Sequence, residues 1–178
     1  MNKIKPFVLS CMMLLAGPAW SELVAVSPSG FIIKNRFETT HSAEAIWAAL
    51  VNDIDQWWPK DHSWWQGTFS IDAVAGGCFC ELSDNRSAEH MRISFVEPHQ
   101  RLLMTGGLGP LQGMGIYGAL NWQIIPLVEG SEVTLTYQVH GYSPQGFEQL
   151  APVVDKVQHQ QLSALKHFLQ SSTPAAPE

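Results

Sequence analysis

The sequence predicts an α+β domain in which a curved antiparallel sheet of six to seven strands closes over one long C-terminal helix. Three observations carry this expectation. From Gly146 to about Gln170, the residues Leu150, Val154, Val157, Leu165 and Phe168 recur at the three-to-four-residue spacing of one helical face. At least six upstream segments alternate apolar and polar residues, the period of a half-buried strand. Between the first strand and the rest stands a short capped stretch that reads as a helix. Gln161 falls on the apolar stripe of the long helix, where a polar side chain needs a partner, a water or a ligand.

In chain order, Phe31, Ile33 and Phe37 alternate with Lys34, Arg36 and Glu38 as a first strand. Ser42 is an N-cap, with Glu44 suited to the positive end of the helix dipole and Ile46, Trp47, Leu50 and Val51 on one side. Ile54 to Trp65 begins as a second short helix that Pro59 stops, and it holds four tryptophans, Trp57, Trp58, Trp64 and Trp65. A strand follows from Phe69, then a Gly76-Gly77 turn, a strand from Cys78 to Ser83, a turn over Asp84 to Ser87, and a strand with Met91, Ile93 and Phe95 on its apolar side. Leu102 and Met104 open the next strand, and Gly106 to Gly115 is a glycine-rich loop. Ile116 to Ile124 and Val133 to Val139 form a hairpin, and Pro152 sits in the first turn of the last helix or marks a break between a short lead-in and the main helix.

The N-terminus predicts export. Lys3 and Lys5 precede an apolar run from Phe7 to Ala16, and Ala19-Trp20-Ser21 has small residues at the positions a signal peptidase reads. The run falls short of the roughly 20 residues a spanning helix needs, and Cys11 lies inside it rather than after it, against a lipoprotein signal. Residues 1–21 are therefore expected to be a signal peptide cleaved near Ser21, with a leader over 22–30, the domain over 31–170 and a disordered tail over 171–178. The expected location is periplasmic or secreted, with no stable membrane insertion after cleavage.

Removal of that segment takes away Lys3 and Lys5 and no acid, moving the formal charge from −6 to −8. The remaining basic residues are scattered singly, so no nucleic-acid partner is expected. Cys78 and Cys80 make no disulfide framework by count, and no second ligand pair at zinc spacing accompanies them or His62 and His90, so no metal is expected. The loop over Gly106 to Gly115 lacks a Gly-Lys-Ser/Thr ending, and no cofactor is expected.

Several local phrases resemble the SRPBCC, or START-like, helix-grip superfamily. They are Ser42-Ala43-Glu44-Ala45-Ile46-Trp47, the Gly76-Gly77 turn into Cys78-Phe79-Cys80-Glu81, the Glu97-Pro98 then Arg101-Leu102 step, and Gly118 to Trp122 before Val133 to Tyr137. The likeness covers residues 31 to 169 and is nearest to bacterial polyketide-cyclase-like proteins and relatives of the activators of the Hsp90 ATPase. It implies a cavity between sheet and C-terminal helix, with the segment after the first helix near its mouth. An exported chain would not meet a cytosolic ATPase, and fold alone does not assign function.

Trp57, Trp58, Trp64, Cys80, Met91, Met104, Leu111, Met114 and Trp122 are the expected cavity walls, with Gly118 leaving room and Gln161 anchoring one polar group of a small apolar ligand. Ordinary core packing accounts for such residues equally well. A turn at Asn85-Arg86 would pair Cys80 with Met91 and Glu81 with His90, placing the cysteines inward and Glu81, His90 and Arg92 outward. Turned inward, Glu81 and His90, or His62, could instead serve as acid and base of a cyclase or aromatase. The readings are thus a carrier or sensor, an enzyme of that type, or a module presenting its Trp segment to an unknown protein partner.

Overall fold

The computed structural model describes residues 20–171. The proposed signal segment up to residue 19 and the tail from residue 172 lie outside them. Eight strands form one antiparallel sheet, more than the six to seven expected: β1 (Trp20–Ser27), β2 (Gly30–Thr39), β3 (Thr68–Ile71), β4 (Cys78–Ser83), β5 (Arg86–Glu97), β6 (Arg101–Gly106), β7 (Tyr117–Pro126) and β8 (Ser131–His140). Their order is β1-β2-β8-β7-β6-β5-β4-β3. The extra strand is β1, which occupies the stretch expected to be the end of the signal and a leader and turns at Ser27–Gly30 into β2.

The helices α1 (Ala43–Val51), α2 (Ile54–Trp57) and a single 3₁₀ turn (Lys60–His62) bridge β2 and β3, α3 (Pro110–Gly113) interrupts the glycine-rich loop, and α4 (Leu150–Ser171) closes the chain. Ser42 caps α1 as expected, its hydroxyl accepting the Ala45 N–H at 3.3 Å. The hairpin β7–β8 sets Leu120, Trp122 and Ile124 opposite Tyr137, Leu135 and Val133, all buried. This is the alternation of a sheet with one covered face.

Helix α4 packs on β2 and β1 with α1 and α2 beside it. Its buried line is Ala151, Gln158, Gln161, Leu162, Leu165 and Leu169, rotated from the predicted stripe, of whose apolar residues only Leu165 is fully packed. The predicted residues Leu150, Val154 and Val157 instead face a cavity. The apolar arc of α4 is wide enough to serve both surfaces, and the periodicity marks the arc without dividing it.

The helix is keyed to the sheet by one polar contact. Asn35, fully buried at the centre of β2, donates from Nδ2 to Asp155 Oδ1 at 3.1 Å, and its Oδ1 lies 3.3 Å from His159 Nδ1. Asp155 and His159 are one helical turn apart, so a single buried amide sets the position of α4 along β2. Asn35→Ala is expected to lower the unfolding free energy by about 1–3 kcal/mol, the cost of stranding buried partners, measured by urea denaturation.

Candidate functional site

Sheet, α4 and the segments after α2 and before β7 enclose a cavity of about 320 Å³. Such a volume lies at the small end of ligand pockets. Leu108, Leu111, Met114, Val154 and Val157 supply much of its apolar wall, and Trp58, Trp64, His62, His90, Tyr137, Gln158 and Gln161 complete it.

The expected tryptophan wall splits in two. Trp58 and Trp64 line the cavity, whereas Trp57 turns into the core, packs edge-on to Trp122 and donates from Nε1 to the Ala49 carbonyl at 2.8 Å. Trp64 is 44 % exposed, so it sits at the rim rather than inside. Met91, Met104 and Trp122 are packed into the core and do not reach the cavity lining. Leu111, Met114 and Gln161 do reach it, Met114 half-exposed at the edge.

Gly118 leaves room as expected, but for protein rather than ligand. A Cβ there would lie 2.6 Å from Tyr137 Cε2, so its absence lets the Tyr137 ring lie flat on β7. The phenol accepts the Leu108 N–H at 3.0 Å and donates to the Gly106 carbonyl at 3.3 Å, tying the glycine-rich loop over the cavity. Burial pushes this phenol up to about 12, so it stays protonated. Tyr137 was not among the expected site residues, although its inward place in the alternation of β8 was legible.

The β4–β5 register differs from the expected one. The turn is at Asp84-Asn85, with Ser83 paired to Arg86, and Cys80 lies opposite Glu89 and Glu81 opposite Ala88. Moving the turn back by one residue shifts the pairing by two and keeps the faces; a one-residue irregularity farther along the pair is what puts Phe79 and Glu81 on the inner face with Met91. Cys78 and Cys80 go to the other face, half-exposed and joined by a disulfide, so Cys80 is no part of the cavity wall. Between the pairs Phe79–Met91 and Cys80–Glu89, β5 carries one extra residue, His90. This bulge lets His90 and Met91, adjacent in sequence, both point inward. A second irregularity, at Ser94, turns Phe95 outward, where the Arg101 guanidinium covers it, against its predicted inward place.

Glu81 is therefore buried, and every part of its carboxylate is used. Oε2 accepts the Trp64 N–H at 2.9 Å and faces His90 Nε2 at 3.1 Å; Oε1 accepts the N–H groups of Trp65 at 3.0 Å and Gly67 at 2.9 Å. Gly67 has to be glycine for this approach, because a Cβ would meet the Leu82 carbonyl at 2.3 Å. Burial favours the neutral acid, but the N–H groups of Trp64, Gly67 and Trp65, with His90, outweigh it and hold the carboxyl below its ordinary range. Burial holds the His90 imidazole below its usual value despite the opposing pull of Glu81, so it is neutral with its proton on Nε2 and Nδ1 bare. The ring stacks on Phe79 at 5.1 Å and one edge borders the cavity.

His62 also lines the cavity, on the 3₁₀ turn, and its Nδ1 is buried without a hydrogen bond. On α4, Gln158 Nε2 donates to Gln161 Oε1 at 2.9 Å, while Gln158 Oε1 is buried and unpartnered. Gln158 has no sequence signal of its own, since the predicted stripe runs beside it. Among the described residues no group of three or more His, Cys, Asp or Glu could hold a metal, and no helix is long and apolar enough to cross a membrane.

Three outcomes follow from this geometry. Glu81→Gln is expected to cost about 2–4 kcal/mol, since the amide puts a donor among N–H groups that need acceptors. Because both Glu81 and His90 have lowered values when folded, the unfolded chain binds more protons, and stability is lost as the pH is lowered, first below the ordinary histidine range and then through the carboxylate range. Denaturation curves across that range should show the carboxylate part flattened in Glu81→Gln. Gly118→Ala is expected to displace Tyr137 and speed amide hydrogen exchange at Leu108.

No family model matches the sequence, and no curated protein matches it. Solved structures do. CalU16 from Micromonospora echinospora is 19 % identical, with 87 % of this chain and 88 % of that one covered and a TM-score of 0.61. MLL2253 from Mesorhizobium loti is 16 % identical over 79 % of this chain and 98 % of that one, with a TM-score of 0.60. DynU16, a protein of the dynemicin biosynthetic locus, is 17 % identical over 80 % of this chain and 48 % of its own, with a TM-score of 0.57. At these identities the likeness is one of fold, and it shows the helix-grip arrangement of a curved antiparallel sheet around a long C-terminal helix.

Proposed function

We propose that this chain is a carrier or sensor that holds one small apolar molecule in the cavity between the sheet and α4. The observation that carries the reading is the cavity itself: about 320 Å³, walled by Leu, Met, Val and Trp side chains, with buried polar atoms of Gln158 and His62 at its wall. A solid core would have filled this space, since an unfilled cavity of that size costs stability. Trp64, at the rim, sits on the loop that Glu81 holds and so marks the entrance.

A second reading, an enzyme of cyclase or aromatase type, is favoured by one observation. His90 borders the cavity with a bare Nδ1 and a carboxylate behind Nε2, the arrangement of an oriented base. Glu81 itself is no proton donor to a substrate, because all its acceptor sites are engaged within the protein. For this reason the carrier reading is preferred, with His90 alone as the candidate base.

The ligand would be met outside the cytoplasm. The N-terminal pattern of Lys3, Lys5 and the following apolar run supports export to the periplasm, and the Cys78–Cys80 disulfide suits an oxidising compartment. Cleavage near Ser21 would trim the first two residues of β1 and leave the rest of that strand in place.

Native mass spectrometry of protein purified from its own compartment, followed by denaturing extraction, is expected to show an apolar compound bound one to one. Leu111→Trp fills the cavity and should abolish that bound mass while leaving the fold intact by circular dichroism. His90→Ala should retain the compound; accumulation of a different, unreacted compound in this variant would favour the enzyme. In the same preparation, N-terminal sequencing should begin close to residue 22, and Cys78 and Cys80 should resist alkylation until reduced.

A further inference from the structure

The polar groups that face the cavity form an unusual set, and the inference drawn from them rests on the reading of this cavity as a ligand site. Among the described residues, no lysine or arginine lines it. Lys60, next in sequence to the lining residue Asp61, is engaged by Asp55 and by the Gly67 carbonyl. Negative charge, in contrast, is close by: the Glu81 carboxylate stands directly behind His90, and Asp61 lies at the rim. An anionic ligand would lose its hydration here and gain no opposite charge.

The neutral groups narrow the choice further. The Tyr137 hydroxyl is satisfied in both directions, Trp58 Nε1 donates to the His62 carbonyl, and the Ser63 hydroxyl donates to Lys60. Apart from the Asp61 carboxylate and the Trp64 indole N–H at the exposed rim, what remains are the His62 and His90 rings and the Gln158–Gln161 pair, in which Gln158 Oε1 is buried without a donor. Exchanging the orientations of both amides would still leave one carbonyl oxygen and one amino group over. A group that both donates and accepts matches such a pair; a group that only accepts does not.

We infer that the cavity takes an uncharged apolar molecule whose polar end is a hydroxyl, an alcohol or a phenol, seated on Gln158 and Gln161, and that it rejects the corresponding carboxylate. The hydroxyl would donate to the free Gln158 carbonyl and accept from the Gln161 amide. The walls of Leu, Val and Trp would take the remainder of the molecule.

Three probes of one shape test this: naphthalene, 2-naphthol and 2-naphthoate, titrated at neutral pH into delipidated mature protein, with calorimetry and tryptophan fluorescence as readouts. 2-Naphthol is expected to bind about tenfold or more tighter than 2-naphthoate, and about threefold to tenfold tighter than naphthalene. Gln158→Leu should remove the preference for 2-naphthol over naphthalene while naphthalene binding persists. If 2-naphthoate binds as tightly as 2-naphthol while naphthalene also binds, the hydroxyl inference is overturned and the cavity reading stands. An unchanged preference in Gln158→Leu overturns the assignment to that amide. If none of the three binds the wild-type protein, the cavity reading falls and the inference with it.

Discussion

The buried Glu81 carboxylate is the contact on which the site depends. A charge taken out of water is costly unless donors replace the water, and here three backbone N–H groups and one imidazole do so. The donors come from two places that share no regular hydrogen-bond ladder: the irregular segment Trp64–Gly67 and the bulged strand β5. The segment is otherwise held by the Lys60 ammonium on the Gly67 carbonyl, by the Gln66 N–H on the Ser63 hydroxyl and by the Arg86 guanidinium over the Trp65 ring. Glu81 thereby places Trp64 at the cavity rim and fixes the proton of His90 on Nε2. One side chain sets both the entrance and the tautomer of the histidine within.

The same saturation limits what Glu81 can do chemically. A carboxylate with four donors in place is stabilised in its charged form, so it neither releases nor takes up a proton easily near neutral pH. Its effect beyond the loop passes through His90, which it orients and whose neutral ring borders the cavity. Leu150, Val154, Val157, Gln158 and Gln161 of α4 form another wall of the same cavity.

Much of this architecture was legible in the chain. Strands β2, β7 and β8 bury one face each, so their alternation carries their register, and the Ser42 cap and the breadth of the apolar arc on α4 mark the helices. Trp58, Trp64, Leu111 and Met114 were legible as cavity residues because large apolar side chains in segments broken by Pro59 and glycines have no periodic face to fill. Three features were not. The strand β1 looks like part of a leader because its start merges with a signal-like sequence. Gln158 lies beside the apolar stripe, where a polar residue carries no sign of burial. The inward turn of Glu81 was hidden because Cys78, Cys80 and Leu82 offered a more apolar face than Phe79, Glu81 and Ser83, and apolarity is the usual guide to the buried side.

The β4–β5 pair shows why that guide fails here. Opposite the pairing step from Cys80 to Phe79, β5 inserts His90, so β5 is longer than β4 by one residue at that place. On β4 the Cys78–Cys80 bridge spans the same place, and its Cα atoms stand 5.5 Å apart, less than the roughly 6.5 Å that two extended residues cover. A strand that is locally short thus faces one that is locally long. A bulge of this kind bends its strand locally and re-aims a side chain. The disulfide is on the outer face and the imidazole on the inner, yet the two flank Phe79, which packs against the His90 ring. Outer-face chemistry and inner-face geometry thus meet at one residue step, where the inward aim of His90 follows from an extra residue that no alternation pattern can display.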